Sequence, residues 1–128
     1  MLVKPLPELS KSTEPIYTWI SQDRLYVVVT LVCDDYRVVD DKGEPVLIPS
    51  TLFALIDPSV PSSWTVVDER PDWYWCGPPE VSVPGFFERW HDGARVERGE
   101  FARIYAALWA SHASQLRGQV MTIAGLSS

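Results

Sequence analysis

The run Arg24-Leu25-Tyr26-Val27-Val28-Val29-Thr30-Leu31-Val32-Cys33 limits the fold more than any other stretch of this chain. β-Branched side chains lose rotamer freedom in a helix and pack well on a pleated surface, so the run predicts a strand. Its apolar residues do not alternate with polar ones. Both faces of that strand therefore need covering, which places it centrally in a sheet. The segment Tyr26 to Cys33 is far shorter than the ~20 residues that cross a bilayer as a helix, so no membrane segment is expected.

Further strands follow from local signals. In "YRVVDDKGEPVLIP", residues 36 to 49, two apolar runs flank Asp40-Asp41-Lys42-Gly43. Aspartate early and glycine last suit a type I turn, so this is a β-hairpin, and Pro45 directs its second strand to an edge. Leu52, Phe53, Leu55 and Ile56 repeat at helical spacing behind Ser50, which predicts a short helix, with a strand as the competing assignment. "WTVVDE" and "DWYWC" read as two more strands joined around Arg70-Pro71. About five strands result. Pro5, Pro7 and Pro15 keep residues 1 to 14 extended, deny them a helix and predict a loose lead-in.

Helical signals concentrate in the second half. Pro84 can open a helix in which Phe86, Phe87 and Trp90 share a face until Asp92-Gly93 ends it. Phe101, Ile104, Tyr105, Leu108, Trp109 and His112 step by three and four, predicting a long helix from about Glu97 to Leu116 that stops at Gly118. Strands first and helices later predict an α+β fold. A single domain is expected, with a mainly antiparallel sheet on which the long C-terminal helix and one or two short helices pack. At 128 residues one core suffices, and 46% hydrophobic with 22% charged residues is a globular balance.

Charge and motif content narrow the chemistry. A net charge of -6 repels phosphate backbones, so a basic protein is a more natural partner than nucleic acid. The seven glycines are scattered, and no phosphate-cradling loop is legible. The two cysteines and two histidines lack zinc spacing, and the acidic residues lack a calcium-loop pattern, so no metal and no cofactor are expected. Cys33 and Cys76 read as reduced, buried thiols, and with no secretory leader legible in residues 1 to 15 the expected location is cytoplasmic. His112 belongs to the apolar stripe of the last helix. His91, beside Asp92 at a helix end, is the better functional candidate.

Two surface features remain. Asp34, Asp35, Asp40, Asp41 and Glu44 form an acidic hairpin suited to steering a basic protein. In "DWYWC" a period of two turns Trp73 and Trp75 to one face and Tyr74 and Cys76 to the other. Trp73, Tyr74 and Trp75 are thus candidate anchors for a partner, since tryptophan and tyrosine dominate binding hot spots. The same aromatics could instead line a small-ligand or enzymatic pocket, with Glu88, His91 and Asp92 as its polar groups.

Residues 36 to 64, "YRVVDDKGEPVLIPSTLFALIDPSVPSSW", together with 77 to 93, "GPPEVSVPGFFERWHDG", resemble the small acidic immunity proteins encoded beside bacterial polymorphic or contact-dependent toxins. The resemblance implies a non-catalytic cytoplasmic inhibitor that masks the active site of a cognate toxin. It transfers no contact residues. A structural subunit of a phage or secretion assembly is a further alternative.

Overall fold

The computed structural model describes residues 1–70 and 73–124, and the fold is α+β. Its strands are β1 (Leu2–Pro5), β2 (Tyr26–Val32), β3 (Asp35–Val39), β4 (Pro45–Pro49), β5 (Phe53–Asp57), β6 (Thr65–Arg70) and β7 (Trp73–Gly77). The helices are α1 (Pro7–Ser10), α2 (Phe86–His91) and α3 (Arg95–Ser111). Neighbouring strands follow the order β4-β3-β2-β1-β5, all antiparallel.

β2 is the organising strand. One edge of it pairs with β3, from Val28↔Val38 to Val32↔Asp35. Its other edge is shared: β1 takes the first half (Leu2↔Val27, Val3↔Tyr26) and β7 the second (Leu31↔Cys76, Val32↔Trp75). β6 then pairs outside β7, as β5 does outside β1. Both faces of β2 are buried. Val27 and Val29 join Phe86, Phe87, Trp90, Phe101, Ile104, Tyr105 and Leu108 in a core under α2 and α3. Tyr26 and Val28 turn the other way, into a second core with Val3, Leu9, Val38, Ile48 and Phe53. The all-apolar strand is thus satisfied by helices on one side and by the chain's first residues on the other.

Those first residues overturn one expectation. Residues 1 to 14 are not a loose lead-in, because Leu2 and Val3 are 0% exposed and β1 bridges β2 to β5. Nor do the prolines exclude helix: Pro7 opens the single turn of α1, where its missing N–H costs nothing, and Leu9 of that turn is buried. Residues 50–56 likewise resolve against the helix. A 3-10 turn at Ser50–Leu52 leads into β5, where Phe53 points inward and Leu55 and Ile56 stay exposed. A free pairing edge on β1 outweighed the helical spacing of four apolar side chains.

Turns fall where predicted. Asp40 Oδ1 accepts from the backbone N–H groups of Lys42 (2.9 Å) and Glu44 (3.0 Å), and Gly43 sits at φ 85°. β4, which begins at Pro45, is the last strand on its side. The Arg70-Pro71 connection falls partly outside the described residues, at 71 and 72. Gly85, in the left-handed region at φ 77°, caps the start of α2, and Asp92-Gly93 follows its last residue, His91. α3 is shorter than predicted at its C-terminal end: His112 leaves helical geometry (φ -120°, ψ 22°), and a string of turns carries Leu116 back into the core. Among the described residues no helix is long and apolar enough to cross a membrane.

Candidate functional site

An open groove of ~550 Å³ lies on the helix side of the sheet. Its floor and walls come from β2, β3, β4, β6 and β7, and the segment leading into α2 closes one flank. Trp73 and Trp75 both line it, as the period of two along β7 requires, and Tyr74 is not among its walls. Trp75 is held in place because its Nε1–H donates to Ser82 Oγ (2.7 Å), which in turn donates to the Pro78 carbonyl (2.7 Å). Phe87 meets Trp75 at 6.4 Å between centroids and Phe101 at 5.6 Å, so the groove rests directly on the core.

Arg37 is the cation of this groove. Its Cζ lies 3.7 Å from the centre of the Phe87 ring and 5.4 Å from that of Trp75. Nη1 donates to Thr30 Oγ1 across the β2–β3 pair (3.2 Å). Glu88 lines the groove as well, but among the described residues no carboxylate stands within ion-pair distance of the guanidinium. Burial without such a partner lowers the Arg37 pKa to about 10, partly countered by the field of Glu88. The side chain stays charged at neutral pH and keeps unused donors.

The predicted acidic hairpin divides into two unlike ends. Asp34 is exposed and Asp35 half-buried, and both sit at the β2–β3 turn, directly after Cys33, whose N–H donates to the Tyr74 carbonyl (2.8 Å). Asp40, Asp41 and Glu44 lie at the other end of β3, about 15 Å away for a strand of this length. Asp40 is buried in its own turn. Asp41 accepts from the Tyr26 hydroxyl (2.6 Å), the Ser21 hydroxyl and Arg24 Nη1 (3.2 Å). These two carboxylates are spent on holding the turn, and Glu44 faces Lys42 at 3.9 Å.

Of the polar trio proposed for an aromatic pocket, Glu88 alone reaches the groove. Phe86, Phe87 and Trp90 take the inward face of α2, which leaves His91 and Asp92 exposed at its end. Trp90 is 1% exposed and belongs to the core rather than to any pocket. Cys76 is buried as expected, whereas Cys33 is exposed. The apolar run ends one residue early, and Cys33 takes a positive φ of 53° in the two-residue connection to β3. Among the described residues no three His, Cys, Asp or Glu side chains group as metal ligands.

His112, predicted on the apolar stripe, is buried against polar partners. Its Nδ1 lies 3.3 Å from Asp57 Oδ2 and 3.1 Å from Gln115 Oε1. Asp57 also accepts from Ser59 N–H (2.9 Å) and Ser59 Oγ–H (2.7 Å). The Ser59 bonds and, to a lesser degree, Gln115 and His112 hold its pKa down to about 2. Because the unfolded value is higher, near 3.9, the contribution of Asp57 to stability is complete above about pH 4 and disappears as pH falls toward 2. Thermal melts of Asp57→Asn and the parent protein should therefore differ at pH 6 and converge by about pH 2. An equal gap at both pH values would show that the carboxylate charge is not what matters.

Sequence reasoning passed over Arg37. The available signal was a lone cation on a strand whose neighbours are otherwise core residues. Compared with known proteins, the chain matches no family profile, no curated protein and no solved structure at a significant level.

Proposed function

We propose that this chain is a non-catalytic protein-binding domain that neutralises a cognate bacterial toxin by covering it, with the groove and its rim as the contact surface. The observation that carries this reading is a pair of large rings left in water on β7, each 37% exposed: Trp73 on the wall of the groove, and Tyr74, which turns to the other face of the strand. Such rings offer large contact area at low entropy cost and act as anchors when a partner desolvates them. The resemblance to toxin immunity proteins supplies the class of partner.

Electrostatics fit the same end of the sheet. Asp34 and Asp35 follow Cys33, whose N–H bonds the Tyr74 carbonyl, and are not spent on a turn as Asp40 is, so they are the acids at this end of the sheet available for steering. The net charge of -6 adds a long-range pull on a basic surface. Glu44 and the two structural aspartates drop out of the contact set.

The test is calorimetry and stopped-flow with the toxin domain encoded next to this chain's gene. Trp73→Ala with Tyr74→Ala should weaken binding about 100-fold, mostly through faster dissociation. Asp34→Asn with Asp35→Asn should slow association a few-fold at low salt and leave it unchanged at high salt. A toxin that binds the ring-deleted variant as tightly as the parent would overturn the assignment of this face.

A further inference from the structure

We infer that the groove is a carboxylate-receiving pocket: the partner inserts an acidic group with an adjoining apolar side chain, and Arg37 is its anchor. This inference rests on the protein-docking reading above and adds the chemistry of what enters. The guanidinium sits over the Phe87 ring at 3.7 Å, near Trp75, with Nη1 tied to Thr30 Oγ1. That arrangement fixes the plane of the fork before any ligand arrives, and a fixed fork loses little entropy in forming paired N–H···O bonds to a carboxylate. Burying a cation with no ion-paired carboxylate among the described residues is costly, as the lowered Arg37 pKa reflects, and a bound carboxylate offsets that cost.

The walls select the rest of the ligand. Val32, Leu47, Val67, Trp73 and Trp75 surround the cation with apolar surface, so a bare, strongly hydrated anion gains little there. A carboxylate attached to an aromatic or branched group satisfies both features. The ~550 Å³ of space lies in the range of sites for ligands of one to three residues. Glu88, on the rim, opposes any incoming anion and tunes the affinity down.

Two probes represent the two protein sources of a carboxylate: N-acetylphenylalanine for a chain end, and acetyl-Phe-Asp-Phe-amide for a side chain. N-acetylphenylalanine amide is the neutral control. In NMR titrations of the whole chain, at least one acid should bind with Kd of about 1 mM, the ligand-efficiency expectation for its size. The indole N–H signals of Trp73 and Trp75 and the Arg37 Nε–H signal should move, and the amide should bind at least about 10-fold more weakly. Arg37→Gln should abolish the preference for acid over amide. Glu88→Gln changes a residue exposed on the rim and should tighten acid binding about 3-fold, which keeps a readout if the Arg37 variant does not fold.

Equal binding of acid and amide, shifts confined to residues outside the groove, or an acid preference that survives Arg37→Gln would each overturn the inference. The toxin measurement separates this failure from the larger one. If Trp73 and Tyr74 prove essential for toxin binding and Arg37→Gln leaves it intact, the pocket is wrong and the docking face stands. If none of the three matters, the docking face itself is wrong.

Discussion

Replacing Phe101 by alanine is expected to cost about 4 kcal/mol of stability, within the range for deleting a buried aromatic ring, and to lower the melting temperature by about 15 °C for a chain of this size. Phe101 is 0% exposed. Its ring lies edge-on to Phe87 (5.6 Å) and Trp90 (6.2 Å) of α2, and stacks at 6.1 Å with Tyr105 of α3. One side chain thus fastens the short helix to the long one. α2 has only six residues and no side-chain cap, so packing rather than intrinsic propensity holds it in place. Phe101→Leu keeps most of the volume and should cost about 1.5 kcal/mol. Urea unfolding followed by far-UV circular dichroism gives both numbers. Phe87, the ring under Arg37, loses its support in the alanine variant, so the groove should loosen with the core. A loss below about 1 kcal/mol would mean that α2 is held by something other than this ring cluster.

Gly43→Ala is expected to cost about 3 kcal/mol, an unusual amount for a turn residue. Two effects add. At φ 85° an L-residue pays roughly 1–2 kcal/mol for the left-handed conformation. In addition, a Cβ at this position would lie 2.4 Å from the Ala124 nitrogen and 2.5 Å from Ile123 Cα. Both are backbone atoms, so the C-terminal segment has to move away and forfeits the Ala124 N–H bond to the Gly43 carbonyl (2.9 Å). That segment is also tied down by Gln119, whose side-chain amide donates to the Leu25 carbonyl (3.0 Å) and accepts from its N–H (2.9 Å). Removing residues 123 to 128 provides the control. In the shortened chain the substitution should cost only its conformational share, about 1 kcal/mol. An undiminished cost there would assign the whole effect to the turn.

Much of the fold can be read locally. The valines of β2 declare a strand buried on both faces, Asp40 and Gly43 declare the hairpin turn, and the three-and-four spacing from Phe101 to Leu108 declares the long helix. These readings hold because each depends on neighbours within a turn or a pleat. The errors share the opposite cause. Leu2 and Val3 look like an unstructured leader until the open half-edge of β2 is available to pair with them. Residues 53 to 57 carry a helical spacing that a second free edge, on β1, overrides.

For the candidate site the division is sharper. Sequence identified the rings of β7 and their alternation, because side-chain direction along a strand is a local property. It offered no means of telling that Asp40 and Asp41 are consumed by backbone N–H groups and by Tyr26, Ser21 and Arg24 while Asp34 is left exposed. Nor did it mark Arg37. That side chain becomes a candidate anchor only when β2, β3, β7 and the segment before α2 converge around it, placing Phe87, Trp75 and Thr30 at its faces and edge. Strand identity and turn position were determined by steric and hydrogen-bonding preferences acting within a few residues. Which charge ends up half-buried among aromatic rings was decided by contacts between distant segments, whose energies no short window of sequence contains.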